Sequence, residues 1–102
     1  MTEDQPTYLL IGEVLRPHGV AGEVRVRVLT DYPERIAELE HIYLGTSPTS
    51  RKIKQHKLEG LRMHKGYALI KVAKITNRDL ADRLRGLSVM VHIDDAIPLE
   101  DD

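Results

Sequence analysis

The chain has 102 residues, of which 41% are apolar and 30% charged, with a net charge of -1 and no cysteine. That length supports one domain with one modest core, and the composition is that of a globular chain rather than a disordered or membrane-embedded one. Disulfides and thiolate metal sites are excluded, no apolar stretch approaches the length of a membrane span, and the opening MTEDQPT lacks the basic and apolar segments of a secretory signal.

The near-zero net charge hides segregation. Residues 1–50 hold four Lys/Arg against eight Asp/Glu, residues 51–74 hold eight against the single Glu59, and residues 75–102 hold three against seven. A basic middle between acidic ends argues against phosphate binding over a whole face, and leaves room for a local contact with a phosphate backbone or an acidic partner. It is equally the pattern of a solvated pair of strands.

Residues 1–7 read as a flexible arm. Tyr8–Leu15 is a nearly continuous apolar run interrupted by Gly12 and Glu13, and a glycine inside a strand marks a bulge or a sharp bend. The corner RPHGVAG follows, with Pro17 fixing one backbone angle and Gly19 and Gly22 free to take positive φ. Val24, Val26 and Val28 then alternate with Glu23, Arg25 and Arg27, the period of a half-buried strand. His18, carried on so constrained a corner, either bonds the loop's own backbone or meets a partner.

Asp31 and Pro33 mark a turn, and PERIAEL suits a short helix or 3₁₀ segment that packs Ile36 and Leu39. IYLG reads as a brief strand and TSPTS as a loop. Arg51–Leu58 reads as an edge strand whose charges discourage unwanted pairing, LEGLRMHKG as a turn, and residues 67–75 as the central strand. Thr76-Asn77-Arg78-Asp79 fits a capping box that starts a short amphipathic helix, which Arg85 and Gly86 close. Leu87–Ile93 alternates as the last strand. Closure of these strands gives Val24, Val26, Val28, Leu69, Val72, Val89 and Val91 a common interior.

No catalytic or metal-binding constellation emerges. The histidines His18, His41, His56, His64 and His92 show no i,i+4 pair, although His56 and His64 can approach across a hairpin. HGVAG lacks the lysine and helix start of a phosphate loop. Four scattered tyrosines make no paired aromatic platform, and Tyr32, beside Pro33, is the best exposed aromatic.

Two stretches are nevertheless distinctive. IGEVLRPHGVAGEVRVRVLTDYPER resembles the opening of the RimM ribosome maturation factor family through Gly12, Pro17-His18-Gly19, Gly22-Glu23-Val24, Thr30-Asp31 and Tyr32-Pro33-Glu34-Arg35. ITNRDLADRLRGLSVMV is similar to a second family stretch through Ile75, Thr76, Arg78, Ala81, Leu84, Arg85 and Gly86. The resemblance covers residues 8–99. It implies an all-β fold: a small six-stranded closed antiparallel barrel of translation-factor type with one short helix before the last strand. The expected organisation is an arm at 1–7, the barrel at 8–93 and an acidic interdomain linker or tail at 94–102. The family continues into a second, PRC-type barrel, expected to be absent from this chain.

The resemblance also implies a cytoplasmic, monomeric, non-catalytic factor without cofactor or metal. Such a factor assists assembly of the small (30S) subunit head and 16S rRNA processing by binding a head ribosomal protein and the pre-30S particle, with rRNA contacted directly. The alternatives are a protein-binding barrel without RNA involvement and an enzyme in which His18 and Asp31 converge in a cleft. The candidate contact residues are His18, Gly19, Tyr32 and Arg35 with the basic set Arg51, Lys52, Lys54, Lys57 and Lys65. Gly12, Pro17, Gly22, Glu23, Asp31 and Pro33 are expected to shape the loops.

Overall fold

The computed structural model describes residues 7–95. Six strands, β1 (Tyr8–His18), β2 (Glu23–Val28), β3 (His41–Gly45), β4 (Lys54–His64), β5 (Tyr67–Val72) and β6 (Ser88–His92), pair antiparallel in the order β1-β2-β5-β4-β3-β6, and β6 returns to β1. A 3₁₀ helix (Pro33–Glu38) links β2 to β3, the helix α1 (Arg78–Asp82) precedes β6, and a 3₁₀ turn (Ile93–Asp95) follows it.

The expected closed barrel with one helix is corrected in two respects: a 3₁₀ helix joins α1 between the strands, and β4 divides its length between two ladders. β4 bonds β3 only through Lys54–Lys57 and β5 only through Leu58–His64, so none of its residues sits in both ladders. Single bonds at the handover, from Leu58 N–H to the Glu40 carbonyl and from Ala73 N–H to the Lys57 carbonyl, hold the two halves together. The register shift at Leu58/Gly60 turns the strand there. The fold is therefore a six-stranded antiparallel sheet coiled on itself, in which β4 changes neighbour midway, with two short helices between its strands.

Local chemistry explains the elements. Gly12 sits at a bulge, as expected, because a side chain there would meet Val26 Cγ1 at 2.8 Å. β1 runs on through Pro17 and His18, where the sequence pattern places the corner. Pro17 is tolerated because β1 pairs with β6 only as far as Glu13, so its missing N–H deprives no second neighbour. Lys65 (φ 52°) and Gly66 (φ 87°) make a two-residue connection between β4 and β5. Asn77, rather than Thr76, caps α1: its side-chain oxygen accepts from Leu80 N–H at 2.9 Å.

The core cluster joins Val14, Val24, Val26, Ile36, Ile42, Leu44, Ala68, Ile70, Val72, Ala81, Leu84 and Val89, with Val28 packed against it. Leu69 and Val91 are also buried but lie outside that cluster, so the expected common interior loses both. Among the described residues no helix is long and apolar enough to cross a membrane.

Candidate functional site

Strand alternation sends Ala68 and Ile70 to the core and therefore turns Leu69 to the outer face of β5. The register then sets Arg16, Arg25, Leu69 and Arg62 in one row across β1, β2, β5 and β4. Leu69 is fully buried in that row. Aliphatic arginine stems can cover such a leucine while their guanidinium groups stay at the surface.

The row ends in a cationic cluster. Arg25 stacks its guanidinium over the Tyr67 ring at 5.1 Å, and its Nε is buried with no acceptor among the described residues. His18 reaches His64, ring to ring, at 5.4 Å. Partial burial, followed by the charges of Lys65, His18, Arg25 and Arg62, holds the His64 imidazole below its usual range. Among the described residues one carboxylate enters this neighbourhood: Glu23 accepts from Arg62 Nε at 3.2 Å and Nη2 at 3.0 Å. That bidentate pair, against some opposing desolvation, lowers the Glu23 pKa.

The corner beside the cluster is locked. Gly22 has φ +102°, and a Cβ there would stand 2.1 Å from the Ile75 carbonyl oxygen. Arg78 Nη1 donates to the Gly19 carbonyl at 3.2 Å. The two distinctive stretches of the sequence thus meet in space, and the approach is one that only a glycine permits.

The sequence candidates are distributed unevenly. His18, Gly19 and Lys65 belong to this face. Tyr32 and Arg35 follow the far end of β2, stacked on each other at 5.3 Å, and the structure does not bring them to His18. Arg51 and Lys52 lie in the turn before β4, while Lys54 and Lys57 lie on its first half, against β3. Glu23 bonds Arg62 instead of loop backbone, and Asp31 is exposed in a turn fastened by Tyr32 N–H to Thr30 Oγ1 at 3.2 Å, with Pro33 opening the 3₁₀ helix. His18 and Asp31 flank opposite ends of β2, so the cleft required by the enzyme alternative is not formed by that pair. His56 faces Ile42 and does not meet His64. Sequence reasoning misses Arg16, Arg25, Arg62, His64 and Tyr67; the outward alternation of Arg25 and Arg27 is the one available signal. Among the described residues no group of three or more His, Cys, Asp or Glu could hold a metal.

Fold and site together define a small antiparallel β domain with a locked glycine corner and a cationic outer face. The chain belongs to the RimM N-terminal domain family, whose model matches residues 9–96. It is 33% identical over 93 residues to the ribosome maturation factor RimM of Desulfitobacterium hafniense, covering 91% of this chain and 53% of that protein. It is 36% identical over 95 residues to the RimM of Limosilactobacillus reuteri, covering 92% and 55%. The chain therefore spans about half the length of the curated relatives it matches. Among solved structures, the N-terminal domain of RimM from Thermus thermophilus superposes with a TM-score of 0.71 at 27% identity over 91% of this chain and 98% of that one. RimM of Pseudomonas aeruginosa gives 0.76 at 21% identity over 87% and 52%, a likeness of fold alone.

Proposed function

We propose that this domain is the docking part of a non-catalytic, cytoplasmic ribosome maturation factor. In this reading it assists assembly of the small (30S) subunit head and 16S rRNA processing, engaging the pre-30S particle and a head ribosomal protein. The observation that carries the reading is the family match over residues 9–96, to which relatives named ribosome maturation factors add their weight. Residues 8–93 act as the folded unit in this reading, with the arm at 1–7 and the acidic segment at 94–102 flanking it. Ile93 N–H bonds the Thr7 carbonyl at 2.8 Å, while residues 1–6 and 96–102 lie outside the described part.

The contact is assigned to the outer face around Arg16, His18, Arg25, His64 and Lys65. An assembly factor that turns over no substrate needs a rigid surface and electrostatic guidance. The locked corner supplies the first, and a cation cluster in which Glu23 is the one carboxylate among the described residues supplies the second. Arg25, half-buried and held over the Tyr67 ring, adds a fixed positive charge to that guidance.

The test replaces the exposed or half-exposed Arg16, His18 and Lys65 together by Gln and measures association with purified small-subunit precursors across a salt series. Binding should weaken, and the salt slope should fall by about one for each phosphate that is no longer neutralised. A matched Tyr32→Ala/Arg35→Gln variant and an Arg51→Gln/Lys57→Gln variant should bind nearly as the parent does. Unchanged affinity and slope in the triple variant reject the face. Salt-independent binding to a protein partner without rRNA crosslinks would favour the RNA-free alternative.

A further inference from the structure

The change of neighbour along β4 leaves a second, chemically different feature. Beyond the Lys57–Ala73 bond, β5 ends and the chain swings away to α1, while the first half of β4 stays with β3. Between them opens a groove of about 420 Å³, within the range of ligand-binding clefts. Its floor is apolar: Leu44 and Leu84 from the core cluster, with Ile75, Leu80 and Leu87. Its rim is cationic. Lys52, Lys54 and Arg83 line it, no Asp or Glu does, and none of the three forms an ion pair among the described residues.

A third property comes from the ladder. Leu58 N–H bonds the Glu40 carbonyl, so alternation directs the backbone groups of His56 and Lys54 toward β3 and those of Gln55 away from it. Gln55 pairs only with Tyr43, so among the described residues its outward N–H and C=O face no neighbouring strand. Open strand backbone beside an apolar trough is the arrangement into which extended peptides add.

We propose that this groove binds an extended acidic segment of a partner protein, with apolar side chains seated between α1 and β4 and flanking carboxylates paired to Lys52, Lys54 and Arg83. The apolar floor sets the requirement for Leu- or Val-like anchors, and the unneutralised rim sets the sign of the flanks. Among the described residues no aromatic side chain other than the His56 imidazole lines the groove, so it offers no paired platform on which bases could stack. The surface is separate from the face assigned to phosphate, and the proposal stands or falls independently of that one.

The experiment uses the full 102-residue chain. A short fluorescent peptide alternating Leu with Asp and Glu is titrated by anisotropy, and methyl NMR follows Leu44, Leu80, Leu84 and Leu87. The acidic peptide should bind and shift those methyls, and its Asn/Gln analogue should bind about tenfold more weakly. Lys52→Gln/Lys54→Gln/Arg83→Gln should produce a similar loss and remove most of the salt dependence, whereas Arg16→Gln/Lys65→Gln should leave the affinity unchanged. Methyl shifts with oligouridylate but not with the acidic peptide would overturn the proposal in favour of RNA. Binding of the acidic peptide that leaves these methyls unmoved, or no binding at all, would overturn it outright.

Discussion

Gly22 offers the sharpest test of the locked corner. Replacement by Ala places a side chain at φ +102° and sets its Cβ 2.1 Å from the Ile75 carbonyl oxygen, a backbone atom that cannot rotate aside. The unfavourable dihedral costs about 1–2 kcal/mol. Forcing an atom into a packed contact adds about 1–3 kcal/mol. The total is roughly 3 kcal/mol, a large share of the stability of a small domain. Gly19 supplies the control on the same corner: its φ is +72°, yet nothing lies within 4 Å of a built Cβ, so only the dihedral cost applies. Urea denaturation should give a loss of about 1 kcal/mol for Gly19→Ala and about three times that for Gly22→Ala. Thermal midpoints should fall by roughly 5 °C and roughly 15 °C respectively. Equal losses in the two variants would refute the close approach of the corner to Ile75.

Asn77→Ala should destabilise by about 1 kcal/mol through loss of the α1 cap, and Thr76→Ala by much less; the reverse order would return the cap to Thr76, where the sequence pattern puts it. Because Arg62 depresses the Glu23 pKa in the folded state, the pair's stabilisation is present above the ordinary carboxylate pKa and lost as pH falls through the lowered one. Denaturation midpoints of the parent should therefore drop more steeply toward acid than those of Glu23→Gln. For His64 the folded pKa is also depressed, so its contribution is full above the usual imidazole range and is lost as pH falls. NMR titration should place the His64 pKa below that of an exposed histidine, and Lys65→Gln should raise it; a pKa that stays put would remove Lys65 from the cluster.

Much of the fold is legible in the sequence because strand alternation and glycine chemistry are local. The Val24–Val26–Val28 strand, the bulge at Gly12 and the positive φ at Gly19 and Gly22 all follow from residues close in sequence. Boundaries fail where pairing overrides composition. The stretch LEGLRMH has the composition of a turn, yet it is the second half of β4, because the irregularity at Leu58/Gly60 lets both Leu58 and Leu61 reach the core. The change of neighbour along β4 is invisible in the sequence for a related reason: which strand each half pairs with is decided by partners far along the chain.

The site divides in the same way. His18, Gly19 and Lys65 are recognisable from loop constraint and charge, but the row formed by Arg16, Arg25 and Arg62 requires a register that no single strand reveals. Basic residues grouped by proximity in sequence are sent to different places. Lys52 and Lys54 go to the groove beside α1, and Lys65 goes to the outer face.

Photochemical RNA–protein crosslinking of the bound complex, with the sites mapped by mass spectrometry, decides whether the outer face beside the locked corner meets the immature small subunit. Crosslinks concentrated on Arg16, His18, His64, Lys65 and Tyr67 are the predicted result. Crosslinks confined to Tyr32, Arg35 and Arg51, with that face untouched, would contradict it.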